Sequence, residues 1–256
     1  MTSNVYFAGI RARTPKDNKQ NKIKRLFDAA GLTQVVKKGD LVAIKIHFGE
    51  HGNDSYVNPI LVRPISEKVR SIGAKPFLTD TNTLYGGSRA NAVDHLQTAE
   101  DHGFCRTVAG ASAIIADGLR GDFYSEIEVP GKHFQRVKIA GEIAFADSMI
   151  VVSHFKAHLP AGFGGAIKNL GMGCAAPLGK AEQHSTRPIF NADICSGCGT
   201  CMDGCPKNAI TVRKRITAIN YDLCTGCGKC LRLCPTHALD FDWFVEVPPF
   251  MERMTE

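Results

Sequence analysis

The sequence predicts an α/β protein, a mainly parallel sheet flanked by helices with one antiparallel hairpin, followed by a small cysteine-rich α+β module. Three observations predict it. Strand-like and helix-like apolar patterns alternate over about the first 190 residues, which is the signature of a parallel sheet with crossover helices. Two short β-rich segments near residues 124–139 follow each other without a helix between them, as a hairpin does. Eight of the ten cysteines then fall between Cys195 and Cys234, in two runs of the same spacing.

Residues 5–10 read as a first strand, rich in β-branched and aromatic side chains. Ile23, Leu26, Phe27 and Ala30 recur at helical spacing, and Gly31 closes that helix. Residues 41–48 form a strand with Val42, Ile44, Ile46 and Phe48 on one face and Lys45 and His47 on the other. Asn58-Pro59 opens a helical stretch carrying Leu61, Ile65, Val69 and Ile72, stopped by Gly73, with Pro64 distorting or delaying its first turn. Residues 77–80 are a strand, and Ser88 is expected to cap a helix running to about His102. Further strands are expected at 113–116, 125–129, 135–139 and 149–153. Residues 1–188 are therefore assigned to the α/β domain, 189–242 to the cysteine-rich module and 243–256 to a C-terminal tail.

The module carries the most specific signal. Cys195, Cys198, Cys201 and Cys205 precede Pro206; Cys224, Cys227, Cys230 and Cys234 precede Pro235. Both runs read C-x2-C-x2-C-x3-C-P, the spacing of bacterial-type two-cluster ferredoxins, in which the fourth cysteine of each run ligates the other cluster. Two [4Fe-4S] clusters are expected, one on Cys195, Cys198, Cys201 and Cys234, the other on Cys224, Cys227, Cys230 and Cys205. The trailing segments Asn208-Ala209-Ile210 and His237-Ala238-Leu239 mark the module as an internal duplication. Structural zinc uses four ligands, usually as two CxxC pairs, and disulfides need an oxidising compartment, so neither explains the pattern. Of the remaining cysteines, Cys105 is expected to be a small buried residue, and Cys174 lies in a glycine-rich segment with its role open.

Ligands of open α/β sheets bind beyond the carboxyl ends of the strands, and polar residues gather there. The strand at 41–48 carries Lys45 and His47 and runs into Glu50; the strand at 77–80 ends in Asp80 and is followed by Asn82. The strand at 149–153 leads into His154, Lys156 and His158, then into a glycine-rich stretch holding Gly164, Gly165, Lys168 and Asn169. Lys45 and His47 alone suit a solvated strand face, Asp80 to Thr83 a turn, and the glycines a loop entering a helix; their convergence from three strand ends favours a site. Lys45, Lys156 and Lys168 suit a carboxylate or phosphate, helped by backbone N–H groups around Gly164 and Gly165. His47, His154, His158 and His184 suit a metal site or proton transfer, and the two roles stay open. The stretch is neither a Walker loop nor G-x-G-x-x-G.

Composition narrows the classes. Hydrophobic residues make up 44% and charged residues 22%, as in a globular protein. The formal charge of +6 is partly offset by roughly −2 per oxidised cluster with its thiolates, leaving about +2 and no case for nucleic acid. No apolar run reaches the roughly 18–20 residues of a membrane helix, and the N-terminus lacks the pattern of an export signal. A cytoplasmic protein of an anaerobic microbe is the expectation.

The segments LVAIKIHFGEHGN, PFLTDTNTLYGGSRANAVDH, IIADGLRG and SHFKAHLPAGFGGAIKNLGMG resemble the family called domain of unknown function 362, in its branch with a ferredoxin module. The resemblance runs from about residue 4 to the end. It implies the fold and the cluster content, and it maps recurrent positions onto Lys45, His47, Glu50, Asp80, Asn82, Lys156, His158, Lys168 and Asn169. It implies no reaction. Cys174 is not a position of the family pattern, and relatives resemble an α/β domain that continues beyond an inserted module. The tail from Pro249 to Glu256 then resembles the start of that continuation.

Three functions follow. One is a redox enzyme, an oxidoreductase or a subunit of one, whose clusters pass single electrons to a small anionic substrate or cofactor, with His47, His158 and Lys168 as catalytic candidates. The second is an electron carrier or redox-responsive module that docks a redox partner protein. The third is a scaffold or maturation factor for clusters or metal. The sequence assigns neither substrate nor oligomeric state.

Overall fold

The computed structural model describes residues 3–158, 161–185, 187–224, 226, 228–242 and 247–256. The segment at 5–10 is not a strand: Val5, Phe7 and Ile10 are 89%, 89% and 77% exposed. Its β-propensity finds no ladder to join. Its end is held by the Lys22 ammonium, which donates to the carbonyls of Gly9 and Arg11 at 2.7 and 2.6 Å. Helix α1 (Lys19–Ala29) starts at Asn18, whose side chain accepts from the Asn21 N–H, and Gly31, at φ +72°, turns the chain into the short α2 (Leu32–Val35). Strand β1 (Leu41–Lys45) follows.

The stretch opened by Pro59 is divided, a 3-10 turn at Pro59–Leu61 and then α3 (Arg63–Ser71), with Pro64 in the first turn where no backbone N–H is required. After β2 (Lys75–Asp80) comes α4 (Ala92–Asp101). Its cap is Asn91, whose side chain accepts from the Val93 and Asp94 N–H groups at 3.1 Å each, not Ser88. Ser88 lies a turn upstream, where its carbonyl accepts from the Thr98 hydroxyl. Cys105 is not buried; it opens α5 (Arg106–Ala109) part-exposed, its Sγ 3.1 Å from the Thr107 hydroxyl.

Strand β3 (Ala113–Ile115) precedes the antiparallel pair β4 (Tyr124–Glu128) and β5 (Arg136–Ala140), then α6 (Gly141–Ala144) and β6 (Ser148–Val151). The four-stranded sheet has order β3-β2-β1-β6 and is parallel throughout. The order reverses between β1 and β6, which places a switch-point crevice at their carboxyl ends. Beyond it lie a short hairpin absent from the sequence reading, β7 (Lys156–His158) with β8 (Gly162–Gly164), and helices α7 (Ala166–Cys174) and α8 (Pro177–His184).

One apolar cluster joins Ile44, Phe48, Leu78 and Phe104, and a second joins Phe27, Val42, Val69 and Ile150. Each fully buried Phe or Ile contributes roughly 1.5–3 kcal/mol from area removed from water. Every β1 residue after Leu41 is buried, Lys45 included.

The module begins with β9 (Pro188–Phe190) and contains α9 (Thr200–Asp203), β10 (Ile210–Arg213), β11 (Ile216–Ile219), α10 (Lys229–Leu233) and β12 (Leu239–Phe241). Strands β10 and β11 pair as one antiparallel ribbon and β9 and β12 as another. Helix α11 (Val247–Thr255) returns to the α/β domain, where Phe250 and Met254 pack with Ala161 and Met172.

Candidate functional site

The parallel register aligns Lys45 with Thr79 on one side and Val151 on the other, so β1 and β2 deliver Lys45 and Asp80 to the same level. The Lys45 ammonium, 0% exposed, donates to Asp80 Oδ1 at 2.9 Å and to Asn169 Oδ1 at 2.7 Å. Asn169 in turn donates to the Val152 carbonyl and the Ser153 hydroxyl, which ties α7 to the end of β6. The close approach of α7 requires glycine at 173: a Cβ there would stand 2.8 Å from the Lys45 ammonium.

Asp80 also faces Arg89 at 3.3 Å, His47 at 3.4 Å and His95 at 3.8 Å. Burial alone would raise its carboxyl, but the Lys45 charge, with His47 and Arg89, overrides it and holds the group well below the usual carboxylate range. Arg89 bridges Asp80 to Glu50 and to the Tyr85 hydroxyl, and Tyr85 donates to Glu50 at 2.5 Å. Burial pushes the imidazole of His47 down, and pushes that of His95 down to about 3. Both rings are therefore neutral at pH 7. Those of His95 make no hydrogen bond among the described residues.

The facing rim comes from β7, β8 and α7. Lys168 is pushed down to about 8 by burial, reinforced by the Arg89 and Lys156 charges. Lys156 shifts down for the same first reason, and His158 is lowered to about 4 by burial with Lys168 and Lys156 beside it. The His158 ring accepts from the Ala161 N–H at 3.3 Å. Deeper lies Lys180, 7% exposed and bonded to the Thr81 hydroxyl and the Ala175 carbonyl, its ammonium also lowered to about 8 by burial.

Lys45, His47, Glu50, Asp80, Lys156, His158, Lys168 and Asn169 line one cavity of about 950 Å³, with His154, His184, Gly164 and Gly165. Asn82 does not. Its amide donates to Asp117 at 3.0 Å and to the Gly118 carbonyl, and burial raises the Asp117 carboxyl to about 6. Cys174 is buried, its thiol pushed up by burial. Among the described residues no three His, Cys, Asp or Glu side chains are arranged to share a metal ion.

Sequence reasoning missed Tyr85, Arg89 and Lys180. Arg89 had a signal, a lone cation in the Gly86-Gly87-Ser88 loop after the Asp80 strand. Lys180 had none, since a lysine within a polar helix reads as solvated. The cavity's remaining wall is the module, through Leu231, Arg232, His237, Leu239, Asp240 and Phe241.

Within the module, Cys195, Cys198, Cys201 and Cys234 line one small cavity; Cys205, Cys224 and Cys230 line another. Cys227 lies outside the described residues. Backbone N–H groups of Gly197, Ala209 and Ala238 donate to the sulfurs of Cys195, Cys205 and Cys234 at 3.3, 3.3 and 3.2 Å. Such donors stabilise thiolates. These are features a cluster site requires, and the residues fit one.

A profile of the family described as Domain of unknown function (DUF362) matches residues 42–250. The Ferredoxin-type protein NapF of Haemophilus influenzae is 58% identical over 26 residues, which is 10% of this chain and 15% of that protein. The lactate racemase apoprotein of Thermoanaerobacterium thermosaccharolyticum superposes on 86% of this chain and 46% of its own, at a TM-score of 0.43 and 14% identity. The chain thus spans less than half the length of either protein. Among the described residues no helix is long and apolar enough to cross a membrane.

Proposed function

The chain belongs to the DUF362 family, and from that premise we propose that it is an iron–sulfur electron-transfer protein which passes single electrons to a small anionic substrate or cofactor in the α/β domain. Two [4Fe-4S] clusters are held by Cys195, Cys198, Cys201 and Cys234, and by Cys224, Cys227, Cys230 and Cys205. When bound, such clusters supply one-electron exchange. The grouping of cysteines around two cavities supports the crossed ligation, and the ferredoxin-type similarity supports the chemistry. A redox partner protein reloads the module.

The observation that carries the reading is the shared cavity, whose walls are strand-end cations on one side and the module on the other. Lys156, Lys168 and the backbone of Gly164 and Gly165 bind the anion. The Lys45–Asp80–Asn169 set is a rigid floor, its charges already paired. Lys168, lowered to about 8, both attracts the anion and exchanges a proton near neutral pH, with His47 and His158 as neutral partners.

Purification without oxygen, followed by mass spectrometry of small molecules released from the protein, is expected to yield an organic anion. A second check uses inorganic sulfate, which stays dianionic across the range. A lysine with a lowered pKa loses its charge as pH rises through that value, so sulfate affinity is expected to fall above pH about 8. Lys168→Met should bind roughly tenfold more weakly at pH 6.5, as for one lost charge-assisted hydrogen bond, and the gap should close above pH about 9. A gap independent of pH contradicts the role given to Lys168.

A further inference from the structure

The module contains its own internal control. Positions set by cluster geometry agree between its halves: Cys205 and Cys234, Pro206 and Pro235, Ala209 and Ala238, Ile210 and Leu239. Among the positions that change chemistry are Asp203 to Arg232, Asn208 to His237 and Thr211 to Asp240. All three second-half residues line the large cavity, and their first-half counterparts do not. These three differences fall where the module meets the ligand site.

The three are not equivalent. Arg232 is engaged with the Arg120 carbonyl and with Asp122 at 3.3 Å, fastening module to domain. Asp240 Oδ1 accepts from the Phe241 N–H at 2.7 Å. The His237 ring has no hydrogen-bond partner among the described residues. Its backbone is left-handed, φ 54°, as is that of Asn208, φ 50°. Asparagine and histidine are both enriched in that region, so the backbone accepts either residue and does not by itself select the imidazole at 237.

Resting on the reading above, we propose that His237 is a ligand-contacting residue supplied by the module. The ligand is then an organic anion with its charged group at Lys156 and Lys168 and a hydrogen-bonding group at His237, not a bare inorganic anion. The cavity is of the size that holds an organic cofactor. Part of the recognition is made by the electron-carrying module itself, which keeps the bound molecule beside its source of electrons.

The test compares two probes on anaerobic holoprotein by equilibrium dialysis, inorganic sulfate and 4-nitrophenyl sulfate, in wild type, His237→Asn and Lys168→Met. Asparagine is the natural residue of the matching position, so iron content and cluster spectra should not change in H237N. H237N is expected to bind 4-nitrophenyl sulfate about fivefold more weakly, the size of one neutral hydrogen bond, and inorganic sulfate as wild type does. K168M should weaken both. His237→Gly, which suits the left-handed backbone and removes the side chain, is the second variant if H237N loses iron, and it too is expected to weaken the aryl probe alone. Equal binding of the aryl probe by wild type and by the His237 variant that keeps its iron overturns the proposal while leaving the anion site standing. If neither probe binds wild type, the anion site fails and the proposal fails with it.

Discussion

Replacing Cys205 with serine is expected to remove the cluster of the other half of the module, lowering iron from about eight to about four atoms per chain. Cys205 follows Cys201 closely in sequence, yet it lines the cavity of Cys224 and Cys230, while Cys234 lines that of Cys195, Cys198 and Cys201. Short helices α9 and α10 carry each fourth cysteine across. Double variants make the result unambiguous. C205S with C224S should lose no more iron than C205S alone, because both ligate one cluster; C205S with C195S should lose nearly all. The opposite pattern would show that each cluster is held by consecutive cysteines.

The second large effect concerns Lys45. Lys45→Met leaves Asp80 buried and charged without its nearest cation. Breaking a buried ion pair from one side costs roughly 3–5 kcal/mol, and about 3 is expected because Arg89 and His47 still face the carboxylate. For a chain of this size that lowers Tm by roughly 6–12 °C. Asp80→Asn added to Lys45→Met should recover part of the loss, since it removes the stranded charge. The pH dependence has a definite sign. Asp80 is depressed in the folded state, so its contribution is present above the unfolded carboxyl value of about 4 and is lost as pH falls through the folded one. In Lys45→Met that loss should begin at higher pH. Calorimetry between pH 4 and 8 is expected to show that loss setting in within this window in Lys45→Met and not in wild type, and a change in stability below about 1 kcal/mol on removing Lys45 would contradict the role of the pair.

What was legible in the sequence follows the range of the forces involved. The cysteine spacing is a local pattern, so the cysteines that gather around the two small cavities of the module could be named from it. The main strands were legible because their apolar runs must be buried whatever lies above them. Period-two alternation says only that Lys45 and Val42 point to opposite faces; helices cover both faces of a parallel sheet, so Lys45 lies in the interior. Residues 5–10 carry the propensity of a strand and lack its partner. Asn82 sits at a strand end, as the reading required, but Asp117, from a loop 35 residues away, claims its amide. Lys180 becomes a cavity residue only because α8 packs against Thr81, a contact across about a hundred residues that no local pattern encodes. The wall contributed by Arg232, His237 and Asp240 depends on how the module docks.

The central claim is that the module's electrons reach a molecule held at the strand ends. It is tested most directly by reducing the clusters without oxygen, adding the molecule identified by mass spectrometry, and following cluster reoxidation by visible absorbance in one turnover. Reoxidation is expected in wild type, with reduced molecule formed in proportion to the electrons lost, and at least tenfold slower in Lys168→Met at limiting concentration of the molecule. Clusters that stay reduced after the molecule is added, or that reoxidise at the same rate in Lys168→Met, would contradict it.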